Sequence, residues 1–239
     1  MRILTQPPAG RKGSGIPAEP RVSNAPGVVQ TGGAFSPSPL PGVPLTGQAA
    51  EHAPPPAALA AAEAALQCAT KAGIAGERAD EALTVIDFSL PSTAPRLWVL
   101  DPKDGTVTWN VRVAHGRTSG ENLAVHFSNV PHSNASSIGL YRTGEVYVGK
   151  HGRSLRLDGL DEGWNDNARA RDIVIHGADY CTGEHVEKWG RLGRSQGCPA
   201  LDPAVTAPII DTIKDGTLVL VYYPDPDWLA ASPWLHCGG

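Results

Sequence analysis

The sequence predicts a mainly β domain over residues 84–239, preceded by a helix and carrying one further helix near its C-terminal end. Three observations carry that expectation. From Thr84 onward, short runs rich in Val, Ile, Trp and Tyr alternate with clusters of turn residues. Two of those runs flank an Asp-Gly turn at Asp104-Gly105, the composition of a tight hairpin. Apolar residues at three- and four-residue spacing appear before this region, over 57–72, and a capped helix start follows at Asp202-Pro203.

Taken in order, residues 1–56 hold 12 of the 22 prolines and 8 of the 27 glycines, with Phe35 as their one aromatic residue. Such a stretch cannot bury enough apolar surface to offset its ordering entropy, and it reads as a disordered tail or a semi-extended linker toward the site of action. Residues 57–83 form a helical lead-in. Leu59, Ala62, Leu66 and Ala69 mark one face of a helix that enters at Pro56 and ends at Gly73, and a short helical turn is expected over Glu77–Leu83. Strands follow at 97–101 and 106–114 around Pro102–Gly105, and at 138–141 and 146–149 around a second expected hairpin turn, Arg142–Glu145. Asp172–His176 and Thr217–Tyr223 are apolar, β-branched runs suited to a sheet interior. Asp202 and Pro203 read as N-cap and first residue of a helix reaching about Lys214, with Pro208 inside it.

The formal net charge of −4 lacks the cationic surplus that nucleic-acid binding needs, so nucleic acid is not expected as a partner. No stretch approaches 18 consecutive apolar residues, so no membrane-spanning segment is expected. The apolar run at the N-terminus ends at Leu4, too short for a secretory leader, and none is readable. Four cysteines in a chain of 239 do not make a disulfide framework. Cys68, Cys181 and Cys237 are either free or, in an oxidising compartment, contribute one disulfide of unassigned partners.

Cys198 differs from these. It sits in Gly193-Arg194-Ser195-Gln196-Gly197-Cys198-Pro199, a polar, glycine-punctuated turn whose backbone N–H groups lie close to the thiol. His176 ends the apolar strand Ile173-Val174-Ile175 and precedes Gly177, at a sheet end where clefts form. An imidazole there can take the thiol proton, the thiolate can attack a peptide carbonyl, and the N–H groups of Gly197 and Cys198 can hold the oxyanion. The acidic run Asp158-Gly-Leu-Asp161-Glu162-Gly-Trp-Asn-Asp166 lacks the spacing of a calcium loop and reads as a solvated loop. The histidines and cysteines lack zinc-site spacing, so neither a metal nor another cofactor is expected.

His176-Gly177, a spacer, and Ser195-Gln196-Gly197-Cys198 resemble the signature of the murein L,D-transpeptidase catalytic domain, the YkuD-like family. The segment Gly193–Ala200, together with Phe127-Ser128-Asn129, Ser136–Gly139, Tyr147–Gly152 and Ser154–Leu160, is similar to the branch with a Gly-Arg-Ser-Gln-Gly-Cys-Pro-Ala motif. The resemblance covers about residues 96–223. It implies a mixed-sheet β-sandwich and a catalytic domain over 84–239. It also implies a periplasmic or wall-associated cysteine acyltransferase that joins or remodels peptidoglycan stem peptides. Cys198 would be the nucleophile and His176 the base, with the Gly177 carbonyl orienting the imidazole, and β-lactams of the carbapenem class would acylate the thiol. Gln196 stands where the family usually has a second histidine, and Ala200 where it has Asn or Arg, which points to an altered acceptor or leaving-group pocket.

A substrate carboxylate needs a cation, and Arg194 is the leading candidate, followed by Arg191, Lys150 and His151. Ser195, Gln196 and Tyr141 complete the expected substrate contacts. The same residues could hydrolyse the bond, as an L,D-carboxypeptidase or endopeptidase, or the domain could be a non-catalytic wall-binding module. Papain-like and wall-amidase hydrolases place the cysteine ahead of the histidine, the reverse of the order here.

Overall fold

A computed structural model describes residues 53–237. The tail expected over 1–56, with any spacer role, lies almost entirely outside the described residues. The elements are α1 (Pro56–Lys71), β1 (Leu83–Asp87), β2 (Leu97–Leu100), β3 (Val107–Val111), β4 (Gly139–Gly149), β5 (Gly152–Gly159), β6 (Val174–Gly177), α2 (Gly183–Trp189), β7 (Ala200–Leu201), α3 (Pro203–Ile213), β8 (Leu218–Tyr222) and α4 (Pro226–Ala231). The eight strands hydrogen-bond in the order β3-β2-β1-β8-β4-β5-β6-β7. The pairs β1/β8 and β6/β7 are parallel and the others antiparallel, so the architecture is mainly β with a mixed sheet, as expected.

The central strands β1 and β8 are buried along their whole length, which explains their uninterrupted apolar sequences. α1 packs on this pair. The face it turns inward is Ala58, Ala62, Ala65 and Ala69, all fully buried, while Leu59 and Leu66 lie partly buried beside it. Residues with no bulk beyond Cβ let the helix lie close to the sheet, so the inner stripe is offset from the one the leucines suggest. Residues 77–81 form turns, not the expected helical turn, and Leu83 already belongs to β1.

Arg142–Glu145 is not a hairpin turn. β4 runs unbroken from Gly139 to Gly149, and its pairing with β5 shifts register between Thr143 and Val146, so Gly144 lies in a bulge. The reversal comes later, where Gly149 pairs with Gly152 across the two-residue turn Lys150-His151. The acidic run after β5 is likewise not simply solvated. Asp161 is buried and accepts hydrogen bonds from the Leu140 N–H (2.6 Å) and the Trp228 indole (3.3 Å), tying β4 to α4. Burial pushes its carboxyl above the usual carboxylate range.

α3 starts as expected, with the Asp202 carboxylate accepting from the Ala204 N–H at 2.9 Å and Pro203 in the first turn. Pro208 sits on its exposed face. A disulfide joins Cys68 of α1 to Cys237, 169 residues away. Cys181 is free and buried, and its thiol donates to the Ala200 carbonyl at 3.3 Å.

Candidate active site

The parallel β6/β7 pair places the two candidate reactive residues on neighbouring chain segments. His176 on β6 lies opposite Ala200 on β7, and Cys198 precedes Ala200 by two residues, so histidine and cysteine occupy one edge of the sheet. The thiol donates to the carbonyl of Asp172, two residues ahead of β6, at 3.5 Å.

The turn that carries Cys198 is held from both sides. Ser195 N–H donates to the His115 carbonyl (3.0 Å) and the Ser195 carbonyl accepts from Arg117 N–H (2.9 Å). Within the turn, Ser195 Oγ donates to the Cys198 carbonyl at 2.7 Å and accepts from Gly197 N–H at 3.0 Å. Ser136 Oγ donates to the Gly197 carbonyl at 3.0 Å. Gly197 has φ +121°, and a methyl group there would meet the Ala135 carbonyl oxygen at 2.7 Å, so the position needs glycine. This turn leaves Cys198 half-buried. Burial pushes its thiol above the ordinary value; the Val174 N–H and the Arg171 guanidinium act against that rise, and Asp172 adds to it.

His176 Nδ1 lies 2.9 Å from the carbonyl oxygen of Gly177. A carbonyl only accepts, so Nδ1 carries the proton and Nε2 is the ring's free acceptor. The His151 ring stacks on that of His176 at 4.4 Å between centroids. Burial lowers the His176 pKa, the Gly177 carbonyl opposes that, and His151 and Lys150 reinforce it, so the imidazole is neutral at pH 7. A neutral histidine with Nδ1 held by a carbonyl, on the strand that pairs with the one following a half-buried cysteine, supplies the two groups that proton abstraction and thiolate attack require.

The expected substrate cations divide into two groups. Arg194 pairs with Glu121 at 2.6 Å and also donates to the Gly120 carbonyl, while Arg191 pairs with the other Glu121 oxygen at 3.0 Å. Both guanidinium groups are therefore committed to the 117–121 loop and do not stand as open carboxylate sites. Lys150 and His151 do stand open, exposed on the β4–β5 turn and close enough to act electrostatically on His176. Tyr141, expected as a substrate contact, is buried, with its hydroxyl bonded to Ser137 Oγ (2.8 Å) and the Ser137 carbonyl (2.9 Å). Ser195 is spent inside the turn, and Gln196 is exposed beside it. Gly197 N–H is likewise spent on Ser195 Oγ and is not an open oxyanion donor.

Arg171 was not legible as a site residue. Its sequence signal is one Arg-Asp pair ahead of an apolar strand, yet it lies part-buried under the Cys198 turn and donates to the carbonyls of Ser128 (2.7 Å) and Ala135 (2.6 Å). Residues of the same segment also line an open cavity of about 580 Å³, among them Phe127, Ser128, Asn129, Ser133, Ile138 and Trp164. Among the described residues, no three His, Cys, Asp or Glu side chains gather as metal ligands, and no helix is long and apolar enough to cross a membrane.

The family model described as the L,D-transpeptidase catalytic domain matches residues 55–222. Solved structures resembling this one include an L,D-transpeptidase from Mycobacterium smegmatis, with 16% identity, coverage of 60% of this chain and 59% of that one, and a TM-score of 0.37. An L,D-transpeptidase from Xylanimonas cellulosilytica gives 17%, 65%, 68% and 0.37 for the same quantities. An L,D-transpeptidase in complex with imipenem gives 15%, 60%, 59% and 0.37. This chain thus spans about 59% of the length of the first and third of these proteins, and the likenesses are too distant to transfer a residue's role. No curated protein matches the chain.

Proposed function

Because the chain belongs to the L,D-transpeptidase catalytic domain family, we propose that it is a cysteine acyltransferase acting on peptidoglycan stem peptides, with Cys198 as nucleophile and His176 as base. The observation that carries this reading is the locked tautomer of His176, which leaves Nε2 as acceptor on the sheet edge that also presents the Cys198 thiol. Nε2 takes the thiol proton as sulfur attacks the carbonyl of the scissile peptide bond. The oxyanion is held by the Cys198 N–H, while Gly197 shapes the turn. On collapse, the C–N bond breaks, His176 returns the proton to the leaving D-amino acid, and a thioester remains on Cys198. An acceptor amine then loses its proton to Nε2 and attacks the thioester, releasing the thiolate and closing a ping-pong cycle. Lys150 and His151, exposed beside the site, are the candidates for gripping a stem-peptide carboxylate, and the cavity beside Trp164 is the candidate space for the rest of the strand.

Water in place of the amine would give an L,D-carboxypeptidase or endopeptidase from the same thioester. The Cys68–Cys237 disulfide supports an oxidising compartment, hence a periplasmic or wall-associated protein.

The test is incubation of the full chain with a disaccharide tetrapeptide, with products resolved by mass spectrometry. Cross-linked dimer is expected, and Cys198→Ala should lower its rate by about 10³-fold or more. Loss of the terminal residue without dimer assigns hydrolysis instead. A carbapenem, whose strained amide acylates thiolates, should add its mass to the wild-type chain and not to Cys198→Ala. No product and no adduct, with Cys198 shown to be reduced, would leave a wall-binding module.

A further inference from the structure

Arg171 is a part-buried guanidinium with neutral hydrogen-bond partners. It donates to the Ser128 and Ala135 carbonyls and to the hydroxyls of Ser133 (3.2 Å) and Ser137 (3.3 Å), and among the described residues no carboxylate pairs with it. Arg96 makes the contrast. It is fully buried, and Asp87 lies within electrostatic reach. The ionisable groups that Arg171 faces are the Tyr141 phenol, which burial keeps protonated, and the Cys198 thiol. Its position is fixed from the nucleophile's side too, since a methyl group on Gly197 would lie 3.3 Å from Arg171 Nη2. A buried cation without a counter-ion is costly, and a thiolate next to it relieves that cost. We propose that the Arg171 guanidinium is the fixed counter-charge of the Cys198 thiolate, the group that stabilises it once the proton has gone to His176.

The proposal rests on Cys198 as the nucleophile. The other charged and titratable groups that act on the thiol are Lys150 of the β4–β5 turn, Asp172, itself paired with Arg156 at 2.9 Å, and Tyr180 ahead of α2; His176, with His151 stacked on it, is the base of the proposed mechanism. All are retained in the test, so changes in Arg171 are read against a constant background.

The measurement is the pH profile of Cys198 alkylation by iodoacetamide in the full, disulfide-intact chain carrying Cys181→Ser, which removes the second free thiol. Arg171→Gln keeps a donor for the clamp without the charge, and it should move the profile up by about one pH unit, a roughly tenfold slower reaction at pH 8. Arg171→Lys should stay within about threefold of wild type at that pH, since it keeps the charge. An unmoved profile in a folded Arg171→Gln chain, or Lys and Gln variants that shift equally, overturns the proposal. If Arg171→Gln does not fold, the wild-type ratio of iodoacetate to iodoacetamide rates decides. A fixed cation raises that ratio above the free-cysteine value, and equality with free cysteine overturns the proposal. Alkylation needs no turnover, so a shifted profile without cross-linking would defeat the acyltransferase reading and leave this one standing.

Discussion

His115 shows at one residue how much of the chemistry here is set by fixed partners. Its Nδ1 lies 2.7 Å from Arg96 Nη2, which can only donate, so the ring is neutral with its proton on Nε2, facing the Gly120 carbonyl at 3.3 Å. Burial, with Arg96 adding to it, lowers the His115 pKa from 6.5 to about 3. The unfolded chain therefore binds the extra proton first, and stability should fall as pH drops from 6.5 toward 3, by up to about 5 kcal/mol. Asp87 and Asp161, raised by burial, act in the opposite sense nearer pH 4. Thermal unfolding between pH 7 and 5 checks this: His115→Gln, whose amide oxygen can still accept from Arg96, should show a flatter dependence than wild type. At the candidate site, Cys198 alkylation should still be climbing at pH 9 because its thiol sits above the ordinary value, and a plateau near pH 7 would contradict that. His176, Gly177 and Cys198 could be put forward as candidates from the sequence because each lies in a short contiguous motif. The commitment of Arg191 and Arg194 was not, because their shared carboxylate, Glu121, is about 70 residues distant in the chain.

Among the elements, those specified by neighbouring residues were legible and those specified by distant ones were not. α1 and α3 carry their own start signals, and the β2–β3 hairpin carries its own turn. The β4 bulge has the composition of a turn, and only pairing with β5 and β8 distinguishes the two. α2 and α4 are too short for a periodic signal. The alanine stripe of α1 predicts that Ala62→Leu, forced between helix and sheet, costs about 1–3 kcal/mol in denaturant unfolding. In the Cys198 turn, Gly197→Ala must adopt a left-handed conformation against the Ala135 carbonyl. A loss of about 1–3 kcal/mol with a large fall in Cys198 reactivity is the expected result, and unchanged alkylation would show that the turn tolerates repacking.

For the molecule as a whole, the sequence carried the class but not the wiring. The parallel pairing of β1 with β8 joins residues more than 130 apart, and β7 is two residues long; neither leaves a local trace. The cysteine pairing was equally silent, since it depends on α1 and the C-terminal segment meeting across the finished core. Closing so long a loop should contribute roughly 5 kcal/mol by restricting the unfolded chain. Reduction should therefore lower the melting temperature while leaving Cys198 alkylation of the folded protein unchanged; equal melting of oxidised and reduced protein would refute it. The clasp has a mechanical corollary. Its two Cα atoms are 5.4 Å apart, so tension applied between the chain's ends passes from one sulfur to the other and bypasses the 169-residue span that contains every strand. Among the described residues, such a pull would run through the part of α1 ahead of Cys68 and through the disulfide, not along the backbone of the strands between the two cysteines.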